Sequence, residues 1–334
     1  MLTKQKQSVA ILGATGLVGQ KAIALLNNSE FFEVKELVAS DRRIGQIYGE
    51  VVDWREAHAT LGDDVAKLKL SSFEALSSPW IISCLPSDTA QIMEPALAQM
   101  GKFVFSNAST FRMNDDVPLL VPEINEAHLS LLALQKTKGK IITNPNCSAV
   151  GVTLALAPLV ELGVIEHVSV VTLQSSSGAG HPGVPSLDLM NNTIPHIENE
   201  FEKITEETKK ILGSPSSPAK FKVTTHVHRV PVMFGHTATL HVQFKDNIDL
   251  ASVKNIYAKW NQKFPGLFVM HETKGRPQPM RDLTSDDMRA HLGHLRLGDA
   301  PNILGMVVLT HNLVRGAAGA VIANMHTYFR KMFI

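Results

Sequence analysis

The feature that most narrows the folds open to this chain is the run Gly13-Ala-Thr-Gly16-Leu-Val-Gly19. Before it stands Val9-Ala-Ile-Leu12, a short β-rich apolar run that reads as a buried strand. The apolar spacing from Val18 to Leu26 predicts a helix, and Val34 to Ala39 reads as the next strand. Strand, glycine turn, helix, strand is the βαβ unit whose helix N-terminus receives a pyrophosphate. Glycines there serve the tight turn, the approach of phosphate to backbone and helix–strand packing. The spacing is G-x-x-G-x-x-G rather than G-x-G-x-x-G, so a ligand-free strand–helix turn is the plain alternative.

The end of the second strand bears on the dinucleotide. A site for NAD usually has Asp or Glu there for the ribose 2′-hydroxyl. Here the chain reads Ser40-Asp41-Arg42-Arg43. A hydroxyl and two guanidinium groups suit a 2′-phosphate, because Arg grips phosphate with paired hydrogen bonds. NADP is therefore the expected cofactor, although Asp41 also suits a bare ribose.

Alternation continues beyond this unit. Trp80 to Cys84, Lys102 to Phe105 and Lys140 to Ile142 read as strands, and Pro118 to Val121 as a further short one. Asp88 to Met100 and Asn125 to Gln135 read as helices. Strands alternating with helices of this length imply an α/β fold with a mostly parallel, doubly wound sheet of Rossmann type. Cys84, at a strand end, reads as a packed small apolar side chain.

The segment Asn144-Pro-Asn-Cys147-Ser-Ala-Val-Gly151 holds the chemistry. Cys147 stands where a strand turns into a long helix, and a helix N-terminus draws a thiol toward thiolate. Asn146 and the first helical amides are placed to stabilise an oxyanion at a carbonyl attacked by that sulfur. A cysteine nucleophile needs a base, and the segment Thr225-His-Val-His-Arg229-Val-Pro-Val-Met-Phe-Gly-His236 supplies candidates. Arg229 suits a carboxylate and His236 general acid–base work. Spacing alone does not choose between His236 and His226, His228 or His241. His226 and His228 read as alternate residues of one strand face, with no third metal ligand in view, so no metal is expected. His291 and His294 read as histidines on a helical turn.

Composition excludes several classes. Thirty-two Lys and Arg against thirty-one Asp and Glu give a net charge of +1, without the basic excess of a nucleic-acid or membrane-surface binder. Two cysteines cannot build a disulfide framework, which fits a reducing compartment and a cytoplasmic protein. The polar N-terminus, with Lys4 and Lys6, is followed by too short an apolar run for a signal peptide. The longest apolar region, Ala149 to Ile165, is interrupted by Pro158 and Glu161 and reads as a core helix rather than a membrane span. Gly213-Ser-Pro-Ser-Ser-Pro218 reads as a loop between a helix and a strand.

Taken together, the motifs resemble those of aspartate-semialdehyde dehydrogenases. The glycine run, Ser106 to Asn125 with Arg112 and Glu123, Asn144-Pro-Asn-Cys147, Gln174 to Pro185, Glu200 to Ile211, and Arg229 to His236 match in order over nearly the whole chain. Gly-Ala-Gly-His-Pro-Gly-Val-Pro resembles the archaeal and fungal branch. The resemblance implies NADP-dependent, reversible reduction of 4-phospho-L-aspartate to L-aspartate 4-semialdehyde with release of phosphate. It implies Cys147 as acyl-forming nucleophile, His236 as proton acceptor and Gln174 as positioner of the intermediate. Arg229 and Glu200 would meet the substrate α-carboxylate and α-amino groups, and Arg112, Asn146 and Lys203 the phosphate. Gly13, Thr15, Gly16, Leu17, Val18, Ser40, Arg42, Arg43, Ser177, Gly178 and Asn312 would line NADP.

From the residues alone, Glu200 and Lys203 would be a solvated i, i+3 pair. The resemblance also implies an NADP-binding domain of residues 1–147 and 312–334, an α+β catalytic and dimerisation domain of residues 148–311, and a homodimer or homotetramer. Ser175-Ser176 departs from the small apolar residues usual in the related branch. A malonyl-CoA reductase of the same fold and a non-catalytic NADP-binding redox sensor are the rival expectations.

Overall fold

The computed structural model describes residues 6–272 and 275–333; Lys4 of the polar N-terminus, with the rest of residues 1–5, and residue 334 lie outside them. The chain divides into two compact units. One takes the described residues up to Pro122, Glu126–Pro145 and the segment from Ala317 onward; the other takes Glu123–Asn125 and Asn146–Gly316.

The first unit holds β1 (Gln7–Leu12), β2 (Phe32–Val38), β3 (Trp80–Ser83), β4 (Phe103–Ser106) and β5 (Lys140–Thr143). They form a parallel sheet in the order β2-β1-β3-β4-β5. Alternate strand residues serve opposite faces. Val9, Ile11, Trp80, Ile82, Phe105 and Ile142 pack with helix Leu17–Leu26 and with Val321, Met325, Tyr328 and Phe329 of helix Gly319–Phe333. Ala10, Leu12, Ile81, Val104 and Ile141 pack with Leu97 and Ala98 of helix Ser87–Gln99. Both faces are thus buried, which is why these strands read as unbroken apolar runs. Trp80 stacks on Phe105 with ring centroids 5.6 Å apart and meets Phe32 edge-on at 5.3 Å. Each such ring, fully buried, contributes about 1.5–3 kcal/mol. The sheet is of the doubly wound, Rossmann type.

Two local expectations change. Pro118 to Val121 forms no strand and keeps one isolated bridge, Leu119 to Thr143. The helix expected over Asn125 to Gln135 is a short turn, Pro122–Asn125, followed by a tighter 3₁₀ run, Glu126–Leu134. Leu129, Leu132 and Gln135, buried at spacing three, follow the three-residue period of that tighter coil.

The second unit is a mixed sheet in the order β7-β6-β8-β11-β10-β9. Its strands are β6 (Ile165–Gln174), β7 (Lys222–Arg229), β8 (His236–Phe244), β9 (Phe268–His271), β10 (Ala290–Leu297) and β11 (Ile303–Thr310). Helix Ala149–Leu162 lies against it, with every residue from Ala149 to Leu159 buried. Tyr257 of helix Leu250–Lys263 donates its hydroxyl to the Ala155 carbonyl. Helix Glu200–Ile211 packs beside both Ala149–Leu162 and β7. Near the C-terminus, Val314–Ala318 takes a wider π-helical turn before the final helix, which lies in the first unit.

His291 and His294 lie on β10, not on a helical turn. A bulge between Gly293 and Arg296, with His294 at φ 54°, breaks the two-residue alternation that would have revealed the strand. His291 is buried between Asp287 and His271, at 3.0 Å from each. His226 and His228 are alternate residues of β7, as expected. Among the described residues no helix is long and apolar enough to cross a membrane. No group of three or more His, Cys, Asp or Glu among them is arranged to hold a metal ion.

Candidate active site

In the first unit, the chain leaves β1 toward β2 and later returns to β3 on the other side of β1. The carboxyl ends of β1 and β3 are therefore the switch point where such sheets bind ligands. Gly13 sits there with φ 71°, and a Cβ on it would fall 2.6 Å from the Cys84 carbonyl oxygen. Gly19 is equally closed, since its Cβ would meet the Gly13 carbonyl at 2.4 Å. These two glycines are demanded by packing, whereas Gly16, exposed at the helix N-cap, leaves backbone open to solvent. The first turn of helix Leu17–Leu26 carries no acidic side chain, and Gly16 makes no side-chain cap. Thr15, Leu17 and Val18 are half-buried around that opening.

Beyond β2, Ser40 and Arg42 are exposed, while Arg43 is half-buried and donates to the Val51 carbonyl at 3.1 Å. Arg112, in the turn after β4, is buried and donates to the Asn107 carbonyl at 2.6 Å. Asn107 in turn meets the Ser83 carbonyl and the Cys84 sulfur. Burial pushes the Cys84 thiol up to about 12, consistent with a packed and unreactive side chain.

The second unit gathers the remaining residues. Cys147 lies two residues before helix Ala149–Leu162, at the corner where the chain leaves β5. Its Sγ is 3.1 Å from His236 Nε2, at the start of β8. Arg229 ends β7 in register with Gln174 at the end of β6, and its guanidinium donates to the Ser175 carbonyl at 2.8 Å. Burial lowers the Arg229 pKa, and electrostatic interaction with Cys147 and Glu200 acts against that lowering. Gln174 is buried, with its amide 3.3 Å from the Thr172 hydroxyl.

Gly178 packs directly on this cluster: a Cβ would lie 2.7 Å from Arg229 Nη1 and 2.9 Å from His236 Cε1. Asn312 donates to the Ser177 hydroxyl at 2.9 Å and accepts from the Gly235 amide at 2.8 Å, tying two loops behind His236. Burial first, then the Arg229 charge, lowers His236 to about 3, so the ring is neutral at physiological pH.

Two features were not foreseen as they stand. Asn146 is a helix cap: its Oδ1 accepts from the amides of Ser148, at 2.8 Å, and Ala149, at 3.2 Å. Those amides are therefore committed, and the expected oxyanion donors are not among them. The Asn146 amide nitrogen instead donates to Glu200 Oε1. Glu200 is buried at 7% exposure rather than solvated. Lys203, one turn later, is half-buried.

Two residues at this site, Glu207 and Gly316, escaped the sequence reading, and a third, Ser175, was singled out only as a departure from the related branch. Glu207, buried, accepts from the Asn146 backbone amide. Its signal was its place seven residues after Glu200, on the same helix face. Ser175 meets His236 Nδ1 through both its amide and its hydroxyl. Gly316 backs Cys147, since its Cβ would fall 2.8 Å from the Cys147 Cβ. The small-residue run Gly316-Ala-Ala-Gly319 hinted at that close approach.

A cysteine and histidine in contact, flanked by a buried guanidinium, a carboxamide and a carboxylate, are equipped for thioester chemistry on an anionic substrate. Family models agree with this geometry. Residues 8–132 match the semialdehyde dehydrogenase NAD binding domain, and residues 156–315 the semialdehyde dehydrogenase dimerisation domain. The chain is 39% identical to an aspartate-semialdehyde dehydrogenase of Archaeoglobus fulgidus over 98% of its own length and 100% of that protein.

The chain belongs to the aspartate-semialdehyde dehydrogenase family.

Solved members of that family have the same fold. The Candida albicans aspartate-semialdehyde dehydrogenase with NADP aligns with TM-score 0.88 at 31% identity, covering 99% of this chain and 100% of that one. A Vibrio cholerae aspartate-semialdehyde dehydrogenase II complexed with ASA aligns with TM-score 0.82 at 25% identity, covering 99% and 100%.

Proposed function

We propose that this chain is an NADP-dependent phosphorylating aldehyde oxidoreductase. It interconverts 4-phospho-L-aspartate and L-aspartate 4-semialdehyde plus phosphate, a step of aspartate-family amino-acid biosynthesis. The observation that carries the reading is the Cys147–His236 contact of 3.1 Å beside buried Arg229 and Glu200. In the reducing direction Cys147 thiolate attacks the acyl carbon, the carbon–phosphate-oxygen bond breaks, phosphate leaves, and a thioester forms. Arg229 holds the α-carboxylate and Glu200 the α-amino group, opposite charges matched to the two groups on the substrate α-carbon. Gln174 positions the acyl carbon, and His236 manages protons at Nε2. Asn146 and Lys203, and Arg112 of the first unit, are assigned to phosphate.

NADP fits the residues present. Gly13 and Gly19 leave no room for side chains, the first turn of helix Leu17–Leu26 lacks acidic groups, and Ser40 and Arg42 are exposed beyond β2. Gly13, Thr15, Gly16, Leu17 and Val18 would hold the pyrophosphate, and Ser40 and Arg42 the 2′-phosphate, with Arg43 assisting. Ser177, Gly178 and Asn312 are assigned to the same cofactor. When bound, the nicotinamide exchanges the hydride that separates thioester from aldehyde. Residues 1–147 and 312–334 serve as the NADP-binding domain and 148–311 as the catalytic and dimerisation domain of a cytoplasmic homodimer or homotetramer.

Neither rival is favoured: the curated relatives carry the aspartate-semialdehyde dehydrogenase name, and a CoA thioester has no α-amino group for Glu200. The test is phosphate-dependent NADP reduction with L-aspartate semialdehyde, beside NADPH oxidation with malonyl-CoA. Activity on the first substrate is expected; activity on malonyl-CoA alone overturns the proposal.

A further inference from the structure

His236 is enclosed, and the groups around it define what its two nitrogens can do. Nε2 faces Cys147 Sγ at 3.1 Å. Nδ1 accepts from the backbone amide of Ser175 at 3.0 Å. A backbone N–H only donates, so Nδ1 in this state holds a lone pair, and the neutral ring carries its proton on Nε2. In that form His236 donates a hydrogen bond to the Cys147 sulfur and cannot accept a proton there.

To act as a base toward Cys147 or its adducts, the ring must carry its proton on Nδ1 and free Nε2. Nδ1–H then needs an acceptor, and the Ser175 amide is not one. The Ser175 hydroxyl, 3.2 Å from Nδ1, is. That hydroxyl lies 3.3 Å from the Ser177 hydroxyl, which accepts from the Asn312 carboxamide at 2.9 Å. With the Asn312 end fixed as donor, the Ser175 hydroxyl has two settings. It donates to Nδ1, or it accepts from Nδ1–H and donates to Ser177. The exchange carries the ring proton from Nε2 to Nδ1 and turns one or two hydroxyl protons, and the ring swings from the Ser175 amide toward the hydroxyl so that the two N–H groups no longer face each other.

We propose that Ser175 is a positioning residue that selects which nitrogen of His236 carries the proton. Its amide holds the resting Nε2–H form, and its hydroxyl makes the base-competent Nδ1–H form accessible. The proposal deepens the reading of His236 as proton acceptor and rests on it. The charged and titratable groups facing the ring are Cys147, Arg229 from β7 and His311 after β11; burial, then Arg229 and His311, disfavour a doubly protonated ring and outweigh the Gly235 backbone hydrogen bond that favours it. Exchange between the two neutral forms, rather than prior charging, is therefore the route the site leaves open. Ser175 is fully buried, so water does not replace its hydroxyl freely. The departure from small apolar residues at this position thus gains a chemical role.

The test compares Ser175→Ala and Ser175→Thr with the unaltered enzyme. Ser175→Ala keeps the amide and removes the acceptor, so kcat for semialdehyde oxidation falls by about 10- to 100-fold, within the range of general base catalysis. KM for the semialdehyde changes less than about two-fold, because Arg229 and Glu200 are untouched. Ser175→Thr restores at least part of kcat. Nitrogen-15 spectra of histidine-labelled enzyme, assigned by loss of the signal in His236→Gln, show a protonated Nε2 and an unprotonated Nδ1 at neutral pH. A Ser175→Ala enzyme with kcat within two-fold of the parent overturns the proposal, as does a protonated Nδ1 in the resting parent. An inactive parent enzyme would instead refute the functional reading, while the spectra would still decide the tautomer.

Discussion

Replacing Gly178 by alanine tests whether the site depends on close packing of its own parts. Its backbone φ lies outside the left-handed range, so alanine is tolerated by the chain itself. The added Cβ would lie 2.7 Å from Arg229 Nη1, 2.9 Å from His236 Cε1 and 3.0 Å from His236 Nε2, where ordinary contact begins at 3.4 Å. Each group must withdraw by about half an ångström. Arg229 is anchored to the Ser175 carbonyl and His236 to the Ser175 amide, so neither moves without losing a hydrogen bond. Overpacking of this kind costs about 1–3 kcal/mol of stability. Its effect on rate is larger, because a misplacement near 1 Å costs about 100-fold. We expect Gly178→Ala to lower kcat/KM for L-aspartate semialdehyde by about 10- to 100-fold, with alkylation of Cys147 by iodoacetamide also altered. Thermal melting should fall by only a few degrees. Parental kcat/KM together with parental alkylation would refute the reasoning.

The remaining predictions concern the supports of the site. Glu207→Leu deprives the Asn146 amide of its acceptor and should cost about 1–3 kcal/mol in chemical denaturation, with kcat reduced about ten-fold; Glu207→Gln, which keeps an oxygen there, should lose less. Burial alone would raise the Glu123 carboxyl, but paired hydrogen bonds from Arg315, at 2.9 and 2.7 Å, hold it below the usual range. Glu123→Gln should therefore cost about 2 kcal/mol in urea titration, and adding Arg315→Met should recover part of it. His236 binds no proton in the folded chain until about pH 3, whereas the unfolded residue does so from about 6.5. The unfolded state thus binds more protons as pH falls through that window, and stability is lost there. At pH 5 this amounts to about 2 kcal/mol, so His236→Asn should lose that much less stability than the parent between pH 7.5 and pH 5.

The sequence made the first unit legible because its strands are buried on both faces and its glycine turn is local. Gly13 and Gly19 are required by contacts within one βαβ unit. Cys147 was legible for a similar reason, since the strand–turn–helix corner around it is continuous in the chain. Arg229 and His236 were less so: they face Cys147 only after β6, β7 and β8 are arranged in one sheet, and local spacing does not encode that. Glu200 read as a surface residue from helix charge pattern alone, and the packing of its helix beside Ala149–Leu162 buries both it and Glu207. Asn146 caps the helix amides through Oδ1, and its Nδ2, the donor that would meet an oxyanion, donates to Glu200 instead. At His294 a bulge concealed a strand, and at Leu129 to Gln135 a period of three concealed a 3₁₀ run.

The central claim is covalent catalysis through Cys147, and trapping the acyl-enzyme tests it most directly. Enzyme mixed with L-aspartate 4-semialdehyde and NADP without phosphate should release about one equivalent of NADPH in a burst, whose size follows from one thiol per site. Peptide mapping after acid quench should find the aspartyl thioester on Cys147, and phosphate should discharge it; Cys147→Ser should show neither burst nor adduct. Phosphate-dependent turnover at the parental rate by Cys147→Ser, or an adduct on Cys84 instead, would contradict the account.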